Sequence, residues 1–106
     1  MMTMTRPQRA IYERILGAAR TIGPFTEDVK KTSIHLTRKS AFAGVATRKA
    51  ALLLTIKAPA DIKSPRIVKR EQVSTNRWHL EVRLESPSDV DRELKAWLED
   101  AMALSA

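Results

Sequence analysis

The chain has 106 residues, 19 Lys and Arg against 12 Asp and Glu, a formal charge of +7 and no cysteine. That length supports a single domain with its own core, burying roughly 65% of the unfolded chain's surface. The missing cysteines exclude disulfides, a thiolate zinc site and a cysteine nucleophile, and they fit a reducing, cytoplasmic setting. The start, Met1 to Pro7, is short and polar and reads as no signal peptide. The longest apolar run, Ala50 to Leu54, has the length of a strand, so no membrane partner is expected.

The charge is unevenly placed. Residues 1–80 carry 16 basic and 5 acidic side chains, and residues 81–106 carry 3 basic and 7 acidic ones. A basic body with an acidic last segment attracts polyanions and speeds their encounter.

Thr5 to Ile22 is predicted to be a helix. Ile11, Ile15, Leu16, Ala18, Ala19 and Ile22 recur at three- and four-residue spacing, one apolar stripe. Thr5 and Gln8 have the spacing of a capping box, and Gly23-Pro24 is a stop at which Gly can adopt a left-handed closing conformation. The exposed arginines Arg9, Arg14 and Arg20 read as a solvated face. Phe25 to Lys30 fits either a strand or a loop.

From Thr32 the period changes to two. Ile34 and Leu36 point one way, and Ser33, His35 and Thr37 the other. Phe42 to Thr47 and Leu52 to Lys57 are the next strands. They are joined by the basic turns Arg38-Lys39 and Arg48-Lys49. Gly44 inside a strand suggests a bulge or a close approach. Connections this short force antiparallel neighbours, so the two basic pairs lie at opposite sheet ends, about 20 Å apart. They cannot grip one small anion together, but both can touch an extended polyanion.

Ala58 to Ser64 reads as a loop, and 65–70 as a short edge strand or an irregular stretch, because Pro65 argues against a central strand. Trp78, Leu80, Val82 and Leu84 alternate strictly with polar partners, the clearest strand in the chain. Ser86-Pro87-Ser88-Asp89 opens the last helix, with Ser86 as its cap and Pro87 as its first residue, and the apolar stripe is Val90, Leu94, Trp97, Leu98 and Ala101. The resulting expectation is an α+β fold, one domain over 1–106. It has an antiparallel sheet of about four or five strands and an N-terminal and a C-terminal helix packed on one face. Residues 1–5 and 103–106 are expected to fray.

No enzyme chemistry is spelled out. The two histidines, His35 and His79, sit on polar strand sides without HxH or HExxH spacing, so neither a metal nor a cofactor is expected. There is no Gly-x-Ser-x-Gly elbow and no phosphate-cradling glycine loop. The candidate surface is basic: Lys31, His35, Arg38, Lys39, Arg48, Lys49, Arg66, Arg77, His79 and Arg83 form the anion-binding set. Trp78 and Trp97 lie on apolar stripes, so contact with a nucleic acid would run through phosphates more than stacked bases.

The expected function is a non-enzymatic binding or accessory module for an anionic partner, nucleic acid or acidic protein. One alternative is protein interaction or self-association, in which the acidic last helix meets a basic patch on a second copy. Another is a small-molecule pocket between sheet and helices.

The segments Lys30-Lys31-Thr32-Ser33-Ile34, Phe42-Ala43-Gly44-Val45, Pro65-Arg66-Ile67, Trp78 to Leu84 and Asp89 to Leu98 together resemble a bacterial family of unknown function. That family was formerly labelled a predicted transport protein domain and is found alone or behind nuclease-like domains. The resemblance covers about Ile11 to Met102. It implies no catalytic residues, and through the nuclease-like companions it implies an accessory role near nucleic acid.

Overall fold

The structure, a computed structural model, describes residues 3–105. Helix α1 covers Arg6–Ile22 and begins with the expected capping box of Thr5 and Gln8. Its end differs from expectation. Gly23 is fully extended (φ 173°, ψ 176°) rather than left-handed. Pro24 explains this, since the residue before a proline is driven out of helical conformations and into extended ones. The chain therefore runs straight into the sheet.

That sheet has six strands, all antiparallel: β1 (Thr26–Val29), β2 (Ile34–Thr37), β3 (Ala41–Arg48), β4 (Ala51–Ala58), β5 (Ile67–Ser74) and β6 (Arg77–Leu84). Their order is β1-β2-β3-β4-β6-β5. The count exceeds the expected four or five because both edges are strands. At one edge, β1 pairs Glu27 with Leu36 and Val29 with Ile34. At the other, β5 is a full eight-residue strand in which only Ile67 is buried. Such a strand has no apolar alternation to read. Its pairing with β6 shifts register between Ile67 and Lys69 and again between Gln72 and Ser74. These irregularities, with Lys69, Arg70 and Glu71, blunt an edge that would otherwise template aggregation.

Residues 59–66 cross from the end of β4 to the start of β5, leaving β6 to insert between them. Ile62 of this crossing packs on the core, and Arg70 holds it through Asp61 (2.8 Å) and the Ile62 carbonyl (3.1 Å). The Arg70 hydrogen bond is the main cause that holds the Asp61 carboxyl below its usual pKa.

The last helix also begins later than expected. Pro87–Asp89 form a 3-10 turn, with the Asp89 carboxylate accepting from the Glu85 and Ser86 N–H groups. Asp91 then caps α2 (Arg92–Ala103) by accepting from the Leu94 N–H. A second acid in a position to cap restarts the helix beyond buried Val90.

Both helices bury their stripes on one sheet face. Ile15, Ala19, Leu36, Leu54, Leu80, Leu94 and Leu98 are fully buried there. Tyr12 donates its hydroxyl to Glu27 (2.5 Å). Burial, reinforced by that carboxylate, raises the Tyr12 pKa well above its usual value. A bulge occurs in β3, but not at Gly44. Leu36 pairs with Ala43 and Thr37 with Ala41, leaving Phe42 as the extra residue. Phe42 and Ala43 are consequently both buried, and Phe42 meets Phe25 edge-to-face at 6.0 Å.

Candidate functional site

The other sheet face is open. Register places Asp28, His35, Gly44, Thr55, Glu81 and Lys69 opposite one another across all six strands. One row along, Lys57 faces His79 and His79 faces Glu71. Gly44 is regularly paired, and its role is spatial. With Ala46 and Thr55 it makes a floor of small side chains, and a Cβ added there would come within 3.8 Å of the His35 ring. The result is an open depression of about 510 Å³ whose walls are Ser33, His35, Lys57 and His79. The space between sheet and helices, by contrast, is occupied by the core.

Carboxylates answer most of the charge on and around this face. Lys69 meets Glu81 (3.8 Å), His79 Nδ1 meets Glu71 (4.0 Å), Arg83 Nε meets Glu85 (3.2 Å) and Lys30 meets Asp28 (2.9 Å). Lys57 differs. Its ammonium donates to the hydroxyls of Ser40 (2.9 Å) and Ser105 (3.1 Å).

Those hydroxyls belong to a larger arrangement. The turn after β2, Arg38 to Ser40, is tied to the end of α2. The Lys39 N–H donates to the Ser105 carbonyl (3.0 Å), and the Ser40 hydroxyl donates to that of Ser105 (3.1 Å). Ser105, read from sequence as part of a fraying end, is buried.

The turn after β3 is tied to the start of α1. Gln8 Nε2 donates to the carbonyls of Arg48 (2.8 Å) and Ala51 (3.2 Å) while Oε1 accepts from the Thr5 N–H (2.9 Å). Arg83 Nη2 adds a hydrogen bond to the Lys49 carbonyl (3.2 Å). Ala50 in this turn has φ 57°, a left-handed conformation costly for a residue with a Cβ.

Each basic turn is thus clamped through its backbone by one helix end, and its side chains are left outward except for Arg38, which is half-buried with its guanidinium beside Gly23. Lys39, Arg48 and Lys49 are exposed. Among the described residues, no carboxylate lies within ion-pair distance of Arg38, Lys39, Arg48 or Lys49.

The anion-binding set predicted from sequence therefore separates. Lys31, Arg48, Lys49 and Arg83 lie at one end of the sheet. Arg38, Lys39 and Arg77 lie at the other, and His35 and His79 on the face between. Arg66 leaves the set. It sits on the helix side, where its guanidinium bonds Asp91 (3.0 Å), Glu93 (3.1 Å) and the Asp89 carbonyl (2.5 Å) and stacks 5.5 Å from the Trp97 ring. Partial burial works against the Arg66 charge, but the two carboxylates outweigh it and raise its pKa. The Leu94 N–H and the Arg66 guanidinium in turn lower the Asp91 pKa against the opposing effect of desolvation.

Sequence reasoning missed Gln8, Ser40 and Ser105 as residues that position the turns. Gln8 was legible only as a cap, and nothing local marks Ser40 or Ser105. Among the described residues, no group of three or more His, Asp or Glu converges as a metal site. Among the described residues, no helix is long and apolar enough to cross a membrane.

Comparison with curated proteins and with solved structures gave no match. A family model described as Domain of unknown function (DUF5655) matches residues 4–105, nearly the whole described chain. The chain belongs to that family.

Proposed function

We propose that the protein is a non-catalytic, cytoplasmic accessory module that holds an extended polyanion, the phosphate backbone of a nucleic acid in the first place, along β3. The observation that carries this reading is the unanswered charge at both ends of that strand. Arg38 and Lys39 lie at one end, and Arg48 and Lys49 at the other, on turns clamped by Ser105 and Gln8. Eight residues of strand separate them by about 25 Å, room for several consecutive phosphates. Between them the small-residue floor at Gly44 lets a backbone approach the sheet, with Lys57 and Ser33 beside it. The nuclease-like companions implied by the family resemblance fit the same partner. No exposed aromatic platform lines the path, so recognition follows phosphate charge with little base preference.

A labelled single-stranded oligonucleotide titrated at ~50 and ~200 mM salt tests the reading. Neutralising about four phosphates on a single strand predicts a loss of affinity of roughly fiftyfold between those conditions. The triple variant Lys39→Glu, Arg48→Glu, Lys49→Glu should abolish binding and keep the fold. Absence of binding at the lower salt would sink the proposal.

The depression at Gly44 also favours a second reading, a small anionic ligand bound against Lys57 and the two histidines. A thermal-shift panel distinguishes it. Stabilisation by a monomeric phosphate compound that survives the triple variant selects the depression over the turns.

A further inference from the structure

The helical side carries a second basic surface, and its partner is written on the same helix. Between α1 and the first turn of α2 runs a groove of about 520 Å³. Its floor is exposed Gly17, where an added Cβ would meet nothing within 4 Å. Arg14, Arg92 and Lys95 line it, none with a carboxylate in ion-pair distance among the described residues. The two acids in the groove wall are already committed: Glu13 to Arg9 (3.6 Å), and Asp91 to Arg66 and the cap of α2.

Ten of the twelve acidic side chains have a described ion-pair or capping partner. The remaining two are Glu99 and Asp100, both exposed on the last turns of α2. At 100° per residue, Glu99 continues the flank of α2 that carries Arg92 and Lys95. One helix thus presents unanswered positive charge at its start and unanswered negative charge near its end.

We infer that this face binds a second copy of the chain, with the two α2 helices antiparallel about a two-fold axis near Ala96. In that arrangement Glu99 and Asp100 of each copy reach the groove of the other. The contact is isologous, so every charge pair occurs twice, and the opposed helix dipoles add to it. Ala96 is exposed at the crossing and small enough for close approach. Being built from surface charge, the association is weak and salt-sensitive. It uses the opposite face from the polyanion path and does not depend on that reading.

Sedimentation velocity over a range of protein concentrations tests it. The wild-type chain, 11.9 kDa, should move toward twice its mass as concentration rises at low salt, and return to a single chain at high salt. Glu99→Lys with Asp100→Lys makes groove and helix end both basic, and Arg92→Glu with Lys95→Glu makes both acidic. Each double variant, its fold checked by circular dichroism, should remain a single chain alone. Mixed one to one, the two should form a heterodimer. A wild-type chain that stays single at all concentrations in low salt overturns the inference, and so does a mixture that fails to associate. Loss of oligonucleotide binding in the Arg92→Glu, Lys95→Glu variant, without any dimer in the wild type, would reassign the groove to nucleic acid.

Discussion

Arg66 and the Arg48-Lys49 turn are alike in sequence, basic side chains beside a strand, and opposite in the fold. The Arg66 guanidinium is bracketed by Asp91, Glu93 and the Asp89 carbonyl and lies over Trp97. At the β3–β4 turn it is the backbone that is bound, by Gln8 and Arg83, and the side chains are left facing solvent. In the first region charge is spent on holding α2 to the 59–66 crossing. In the second it is displayed. The difference teaches that formal charge in a basic protein is divided by where carboxylates fall in space. The +7 of the chain says little about which cations are available to a partner.

Substitutions can test this contrast directly. The largest effect is expected from Gln8→Ala, which strips two carbonyls of their donor and undoes the capping box. It should lower unfolding free energy by about 2–3 kcal/mol in urea titration. It should also weaken oligonucleotide binding, because the turn it holds would no longer be fixed. Arg66→Ala should cost about 1.5–2 kcal/mol, partly screened by solvent, and leave oligonucleotide affinity unchanged. If Arg66→Ala destroyed binding and the turn variants kept it, the contrast would be inverted.

Asp91→Asn addresses the same junction by pH. The folded Asp91 pKa lies below the unfolded value, so its stabilisation is complete above about pH 4. It is lost as pH falls through the lower, folded pKa. Thermal melts of Asp91→Asn should therefore show a flatter acid limb than the wild type. The smallest effect is a gain. Ala50→Gly relieves a left-handed backbone and should stabilise by about 0.5 kcal/mol, part of the relief being lost to the freer unfolded chain. Its binding should match the wild type, showing that the turn's strain is incidental to charge display.

The parts of the fold legible in the sequence are those with a clean period. The α1 stripe, the Thr5–Gln8 cap and the alternation Trp78 to Leu84 each correspond to an observed element. What was not legible depended on partners distant in the chain. β5 shows no alternation because its register slips twice against β6 and only Ile67 reaches the core. Gly44 reads as a bulge or a close approach: the bulge falls instead at Phe42, which meets Phe25, while at Gly44 the His35 ring lies close. Asp91 rather than Ser86 caps α2, and the crossing that delivers Arg66 to it has no local signature.

The candidate site divides in the same way. The basic turns were visible as residue pairs. Their clamps, Gln8 to Arg48 and Ser105 to Lys39, join residues at least 40 positions apart and could not be read from spacing.

The exposure of β5 has a kinetic consequence. A strand that contributes one buried side chain to the core adds little to the free energy of local opening. Amide hydrogens of β5, and of β1, which buries no side chain at all, should exchange with solvent deuterium earliest in the sheet, those of β6 much later, and those of β3 and β4 only on global unfolding. The sheet would then open from its two edges inward, and the turn held by Gln8, between the central strands β3 and β4, would be the last to open.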